Sequence, residues 1–159
     1  MYTQFSTAEI IIDAESLQQD MLNSSVSGNI YWKLDEELYF PEEHWYDYPS
    51  TLLTWWTESL VQIAIRSIDK ANLFFMDGNQ LVKISIHGED GLAISCHESK
   101  SRPPMFAGIV NRTKFIRCFI LTSTRYLDWC KAKNVNEDFT AINISLQSLK
   151  QCSVPFNCK

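Results

Sequence analysis

The sequence lacks most of the motifs that identify nucleotide-binding, membrane-spanning or secreted proteins. It has only five glycines and neither a G-x-G-x-x-G nor a P-loop pattern, so it gives no support for nucleotide binding. No apolar run reaches the roughly 18 residues of a membrane span. The first residues show no basic segment followed by an apolar stretch, as a signal peptide would. We therefore expect a cytoplasmic protein that makes no membrane contact.

Cysteines are few and are not spaced for metal binding. The count of five is odd, and without a signal peptide it predicts reduced thiols rather than disulfides. No C-x-x-C pair occurs, so the common zinc and thioredoxin spacings are absent. We expect Cys118 and Cys130 to be core residues, whereas Cys152 and Cys158 lie near the end of the chain and are candidates for exposure.

The three histidines do not form a recognisable catalytic or metal-binding set. Cys96 and His97 are adjacent in a predicted strand, so their side chains point to opposite faces and cannot form a dyad. If residue 87 pairs with residue 92, His97 lies opposite Val82 and far along the ladder from His87, which disfavours a shared metal. We predict no catalytic residue, no cofactor and no metal site.

The chain does contain ample apolar and aromatic residues, with acidic charge concentrated in its first half. Apolar residues make up 45% of the 159 residues and aromatic residues 13%, which indicates a folded chain and fits one domain over residues 1–159. Residues 1–80 contain 13 Asp/Glu and 3 Lys/Arg, whereas residues 81–159 contain 6 and 11. An acidic surface suits a basic protein partner and repels nucleic acid.

Apolar periodicity predicts an α+β fold. Residues 72–98 alternate as three strands of an antiparallel meander, with Asp77-Gly78 as a hairpin turn. Helical spacing over about 48–69 and about 112–133 predicts two main amphipathic helices packed with this sheet. Asp47 is the predicted N-cap of the first helix.

Shorter segments complete the prediction. We expect strands at Glu9–Asp13 and Ile30–Leu34, and one or two helical turns within Ala14–Asn23. The apolar residues become helical from Met105 onward. Asp138 is a candidate cap for a last helix, although β-branched residues leave a strand open for that final segment.

The acidic residues are densest between positions 35 and 47, where aromatic side chains are interleaved with them. No Lys or Arg lies in this stretch. Acidic and aromatic side chains together are typical of a surface that binds a basic protein, because charge steers the encounter and buried aromatics hold the complex. The predicted partner-binding residues are Asp35, Glu36, Glu37, Glu42, Glu43, Trp45, Tyr46 and Asp47.

The stretch from Tyr39 to Gly78 resembles a pattern found in small bacterial proteins. It reads Tyr-Phe-Pro-Glu-Glu-His-Trp-Tyr-Asp over 39–47, continues with Trp55-Trp56, and ends with Phe-Phe-Met-Asp-Gly over 74–78. This resembles the "FP…W-D…W" and "F-M-D-G" pattern of immunity proteins from polymorphic toxin and contact-dependent growth inhibition systems. The proline expected after Gly78 is Asn79 here.

The resemblance implies a cytoplasmic antitoxin that binds and neutralises a cognate toxin domain encoded beside it. Many such toxins are nucleases with basic clefts, which an acidic inhibitor can occupy. Two alternatives remain open from the residues alone: a small intracellular enzyme that uses the acidic cluster with His44, and an acidic adaptor or regulatory protein. The basic residues on the 112–133 helix are better explained by solvation or intramolecular packing than by nucleic-acid binding.

Overall fold

The structure, a computed structural model, describes residues 2–153. The strands are β1 Thr3–Phe5, β2 Ala8–Ile12, β3 Gln18–Gln19, β4 Val26–Leu34, β5 Leu38–Phe40, β6 Tyr46–Asp47, β7 Lys70–Phe74, β8 Leu81–His87, β9 Gly91–His97 and β10 Phe106–Asn111. The helices are α1 Pro49–Ala64, α2 Arg112–Ala132 and α3 Thr140–Ser153, and Ala14–Ser16 forms a single 3₁₀ turn. The chain therefore has the α+β composition that the sequence predicts.

The larger of two sheets has the order β1-β10-β9-β8-β7. Strands β7, β8, β9 and β10 follow one another as antiparallel neighbours. The first strand of the chain, β1, adds in parallel at the far edge beside β10. The predicted meander is thus confirmed, and it is the centre of a wider sheet.

The smaller sheet is built around β4. One edge of β4 pairs with β2 and β3, and the other edge pairs with β5 and β6, in each case antiparallel. Alternation along β4 puts Ile30, Trp32 and Leu34 in the core, as the sequence pattern predicts. The opposite face of the sheet carries the intervening residues.

Aromatic side chains join the two sheets to the helices. The ring of Trp32 stacks on Phe115 of α2 at 5.4 Å between centroids and lies 5.9 Å from Trp56 of α1. Trp56 in turn meets Phe75, just after β7, edge to face at 5.2 Å. Each of these four rings is buried, so this aromatic series forms the centre of the core.

The main helices lie close to where periodicity places them. The first ends at Ala64 rather than near residue 69. The second runs unbroken through Thr122-Ser123-Thr124 to Ala132. The last segment is helical, and the Asp138 carboxylate, two residues before its first residue, accepts a hydrogen bond from the Thr140 N–H at 2.9 Å. The alternative of a final strand is wrong.

Several local predictions are wrong. Residues 106–111 form a strand paired on both sides rather than the start of a helix, because pairing with β9 and β1 outweighs their helical spacing. Within 14–23, only a 3₁₀ turn precedes the short strand β3. Asp77-Gly78 does belong to a hairpin, but its loop spans residues 75–80, since Phe74 pairs with Leu81.

Cysteine and histidine positions differ in part from the prediction. Cys130 is buried and Cys152 is exposed as expected, but Cys118 is exposed on α2 rather than in the core. Cys158 lies outside the described residues. His87 pairs with Gly91, so His97 lies opposite Leu81, one residue from the predicted partner.

The parallel pairing of β1 with β10 depends on a glycine. A Cβ at Gly108 would lie 2.1 Å from the backbone oxygen of Phe5. We expect Gly108→Ala to lower the free energy of unfolding by about 2 kcal/mol, as for other overpacked sites. Chemical denaturation measures the loss, and faster amide exchange at Thr3–Phe5 would locate it. Gly88→Asn, at a left-handed turn position with open space around it, is the control. Equal stability of Gly108→Ala and wild type would contradict this account.

Candidate functional site

The acidic segment divides into two exposed loops that flank β5. Glu36 and Glu37 lie at the turn between β4 and β5, and Glu42 and Glu43 lie in the loop between β5 and β6. All four side chains are exposed, so they are accessible to a partner. Of the other predicted site residues, Tyr46 is also exposed, whereas Asp35 and Trp45 are partly buried and Asp47 is buried.

Asp35 has a structural function at the start of the first loop. Its Oδ1 accepts hydrogen bonds from the backbone N–H groups of Ser6 and Thr7, each at 2.9 Å. The hydroxyls of the same two residues also lie within 3.3 Å of Oδ1. These hydrogen bonds stabilise the carboxylate and hold the pKa of Asp35 below its usual value. Asp35 thereby fixes the bend between β1 and β2.

Asp47 is buried, which contradicts its predicted roles as a helix cap and as a surface contact. Its side chain is only 2% exposed. The residue at the N-cap of α1 is Tyr48, which makes no side-chain capping bond. Asp47 Oδ1 instead accepts from the Tyr48 N–H at 2.8 Å, and Oδ2 accepts from Trp45 Nε1 and the Met76 N–H, both at 3.2 Å. Asp47 has no accessible area to offer a partner.

Two hydrogen bonds, one from Trp56 and one to Asp47, close the C-terminal end of the free edge of β7. The Ile86 N–H donates to the Asp69 C=O, and the Phe75 N–H donates to the Gln80 C=O. The backbone N–H and C=O groups of the odd-numbered residues on β7 are therefore directed towards β8. The even-numbered residues therefore direct their backbone groups to the open edge. There, the Phe74 C=O accepts from Trp56 Nε1 at 2.9 Å, and the Met76 N–H donates to Asp47. Side chains occupy positions where another strand would otherwise pair.

The same residues account for most of the sequence pattern noted above. Trp45 is half-buried, and its ring meets Phe75 edge to face at 6.0 Å, as Phe40 does at 5.9 Å. Trp56 meets the same ring. Phe40, Trp45 and Trp56 of the pattern therefore pack around Phe75, with Asp47 bonded to Trp45. The spacing of these residues reflects packing, whereas Trp55 and Phe74 of the same pattern are exposed.

The outer face of the small sheet carries three tyrosines. Register puts Tyr31 of β4, Tyr39 of β5 and Tyr46 of β6 on the side opposite Trp32, where Tyr39 lies across from Lys33 and Tyr46 across from Asn29. We call this surface the tyrosine face. Tyr46 was predicted as a site residue, whereas Tyr31 and Tyr39 were missed. Their alternation with the core residues of β4 and β5 is the signal that identifies them.

Carboxylates border the tyrosine face. The rings of Tyr39 and His44 each lie 5.9 Å from Tyr31, edge to face, and cover it. Glu43 Oε1 lies 3.7 Å from His44 Nε2. Burial raises the pKa of Tyr31, and the negative charges of Glu43 and Asp13 raise it further. The surface therefore combines aromatic area with negative potential, which is the combination that binds basic side chains.

The acidic cluster does not have the geometry that the enzyme alternative requires. That alternative needs at least two carboxylates that converge with His44 in a pocket. Glu42, Glu43 and His44 are all exposed, and in the part of the chain that the structure describes Glu43 alone has its carboxylate within 4 Å of His44. No group of three metal-ligating side chains occurs within residues 2–153.

The half-buried pair Ser50–Glu137, at 2.8 Å, joins α1 to the loop before α3, and Tyr126 lies 2.6 Å from the same serine.

Two further features were considered for chemistry: His97, which is structural, and the basic residues of α2, which are mostly solvated. His97 is buried, with Nδ1 2.9 Å from the Arg102 C=O and Nε2 2.8 Å from the Ser95 hydroxyl, so both ring nitrogens are satisfied. On α2 the aromatic residues Phe115, Phe119 and Tyr126 face the core. Its basic residues lie on the other side, most of them exposed.

No helix of residues 2–153 is long and apolar enough to cross a membrane.

Comparison of the chain with protein-family models, with curated proteins and with solved structures gave no match. The functional assignment therefore depends on the geometry and electrostatics of this surface, together with the resemblance in its sequence pattern.

We expect Asp47→Ala to lower the free energy of unfolding by about 3 kcal/mol, because it removes the acceptor of three part-buried donors, the Trp45 indole N–H and the backbone N–H groups of Tyr48 and Met76. Asp47→Asn keeps one acceptor oxygen but introduces a donor, and we expect a loss of similar size. Urea denaturation measures both. Glu43→Ala, in the exposed loop nearby, is the control and should change stability by less than about 0.5 kcal/mol. A wild-type midpoint for Asp47→Ala would show that these hydrogen bonds are dispensable.

We expect Asp35→Asn to destabilise the protein by about 1 kcal/mol at pH 7, since an amide is a weaker acceptor for four donors and this site is partly exposed. The folded-state pKa of Asp35 lies below its unfolded value. Its contribution is therefore present above the unfolded pKa of about 3.9 and is lost as pH falls through the folded pKa. The difference between wild type and variant in thermal unfolding should shrink from pH 7 to pH 3. A difference that stays constant would exclude the ionised carboxylate as its cause.

Proposed function

We propose that this protein is an immunity protein of a bacterial toxin system, which acts without enzymatic activity by binding a cognate toxin domain in the cytoplasm. The observation that supports this most directly is the tyrosine face with its acidic border. Aromatic side chains supply contact area at a low entropy cost, and carboxylates attract a basic partner over a distance. An inhibitor of this kind works by occlusion, since it fills the cleft that the toxin uses for its substrate.

A nuclease is the toxin class that fits this surface best. A nuclease binds a phosphate backbone, so its cleft carries lysine and arginine residues. The carboxylates Glu36, Glu37, Glu42 and Glu43 are exposed in two loops on either side of β5, which allows them to reach such a cleft together. Tyr46, also exposed, and Tyr39 lie beside them and can pack against the partner once water is displaced.

The sequence pattern supports the family relationship rather than the contact residues. Phe40, Trp45 and Trp56 of the pattern pack around Phe75, and Asp47 is bonded inside the fold. A shared scaffold with variable exposed loops is what immunity proteins need, because each must recognise its own toxin. The specific contacts should therefore lie among the exposed acidic residues and the tyrosine face.

A growth-rescue assay tests the role itself. The toxic C-terminal domain encoded by the gene immediately upstream would be expressed in the same bacterium with and without this chain. Rescue together with a co-purifying complex is the expected result. Continued killing by a demonstrably toxic domain in the presence of soluble chain would contradict the proposal, and a neighbourhood without a toxin gene would favour the adaptor alternative.

We expect the double reversals Glu36→Lys/Glu37→Lys and Glu42→Lys/Glu43→Lys each to weaken toxin binding at least about tenfold at low salt. They should also make the affinity less dependent on ionic strength, because fewer attractive charges remain to be screened. Calorimetric titration at two salt concentrations measures both effects. All four side chains are exposed, so the fold should be unaffected.

The matched control for these variants is Glu89→Lys/Asp90→Lys. This pair is also adjacent, acidic and exposed in a turn, but it lies between β8 and β9 of the larger sheet. It changes the net charge by the same amount, so it separates a local contact from a general charge effect. Equal losses of affinity in all three variants would exclude the two acidic loops as the specific contact.

A further inference from the structure

The loop between β3 and β4 exposes two large apolar side chains. Met21 is 94% exposed and Leu22 is 97% exposed, the highest values among the exposed large apolar side chains of residues 2–153. They are adjacent and lie at the tip of the hairpin, so neither packs on the body of the protein. Apolar side chains placed in this way are available to enter a recess in a partner.

Hydrogen bonds hold this tip in place. Asp20 Oδ1 accepts from the Leu22 N–H at 2.7 Å, and the Asp20 C=O accepts from the Ser24 N–H at 3.0 Å. The Asp20 N–H donates to the Ser25 C=O at 2.8 Å, and Asn23 Oδ1 accepts from the Ser25 N–H at 3.0 Å. A loop already fixed by its own backbone loses little entropy on binding. The two side chains are thus presented in a defined direction.

The charge around the tip favours a basic protein over a membrane. Residues 2–32 contain four carboxylates and no lysine or arginine. Asp20 is in the turn itself, and Glu15 lies shortly before β3. An anionic lipid surface would repel this region, since the polybasic residues that bind such surfaces are missing. The same charges would attract the basic rim of a protein cleft.

The tip is also connected to the tyrosine face. Tyr46 OH and Ser27 Oγ are hydrogen-bonded, and Ser27 lies at the base of the hairpin in β4. Gln18 and Gln19 of β3 pair with Ser27 and Val26 on the other side. The hairpin therefore continues the surface formed by the small sheet beyond Tyr46.

We propose that Met21 and Leu22 form a second anchor for the toxin domain, inserted into an apolar recess beside its basic cleft. This inference rests on the proposed function and extends its contact surface from the acidic loops to the hairpin tip. The acidic loops then attract the toxin domain and raise the association rate, whereas the apolar contacts of the tip lower the dissociation rate.

The double variant Met21→Ser/Leu22→Ser tests the proposal against the same upstream toxin domain. We expect an affinity at least about tenfold lower than that of wild type, with most of the change in the dissociation rate measured by surface plasmon resonance. Because both side chains are almost fully exposed, the unfolding midpoint should not fall. Ile144→Ser, at an apolar position of α3 that is 63% exposed, is the matched control and should bind as wild type does.

The outcomes separate this inference from the proposed function. Tight binding by wild type and double variant alike would overturn the hairpin anchor and leave the immunity role intact. An equal loss in Ile144→Ser would overturn it as well, since the effect would not be local. Absence of binding by wild type would remove both proposals. Wild-type binding to phosphatidylcholine or phosphatidylserine vesicles that the double variant loses would assign the tip to a membrane instead.

Discussion

The Asp47 carboxylate is the contact on which the arrangement of this protein most depends. It ends β6 of the small sheet, receives the indole N–H of Trp45, and accepts the backbone N–H of Met76 beyond β7 of the large sheet. One side chain thus links the loop that carries the acidic residues to both sheets and to the start of α1. Without it, the exposed loop would lose its fixed position and the edge of β7 would lose an occluding group.

One face of strand β4 packs in the core, and the other face contributes to the proposed binding surface. Ile30, Trp32 and Leu34 fill the core, where Trp32 lies between α1 and α2. The intervening residues contribute Tyr31 to the outer face. Because a strand alternates with a period of two, any shift in register would disturb both faces together. The proposed binding surface is therefore as well fixed as the core behind it, which lowers the cost of ordering it in a complex.

Much of the fold was predictable because it follows from local periodicity. The meander, α1 and α2 each contain enough apolar residues at one spacing to identify them, and the four loop glutamates and Tyr46 were correctly expected at the surface. The predictions were wrong where contacts with segments distant in the sequence determine the local structure. Residues 106–111 became a strand because β1 and β9 lie on either side of them. Cys118 is exposed on α2, which the apolar character of the surrounding sequence does not reveal.

The α+β composition, the asymmetry of charge and the accumulation of acidic and aromatic residues at 35–47 follow from the amino-acid order alone, since these are properties of composition and short-range spacing. Tertiary contacts determine which members of that segment serve the core and which are exposed. Asp47 and Glu43 are carboxylates four positions apart, yet the first is buried and bonded to the Met76 N–H, 29 positions along the chain, whereas the second is in solvent. Burial is a property of neighbours in space, and strand pairing brings those neighbours from distant parts of the chain.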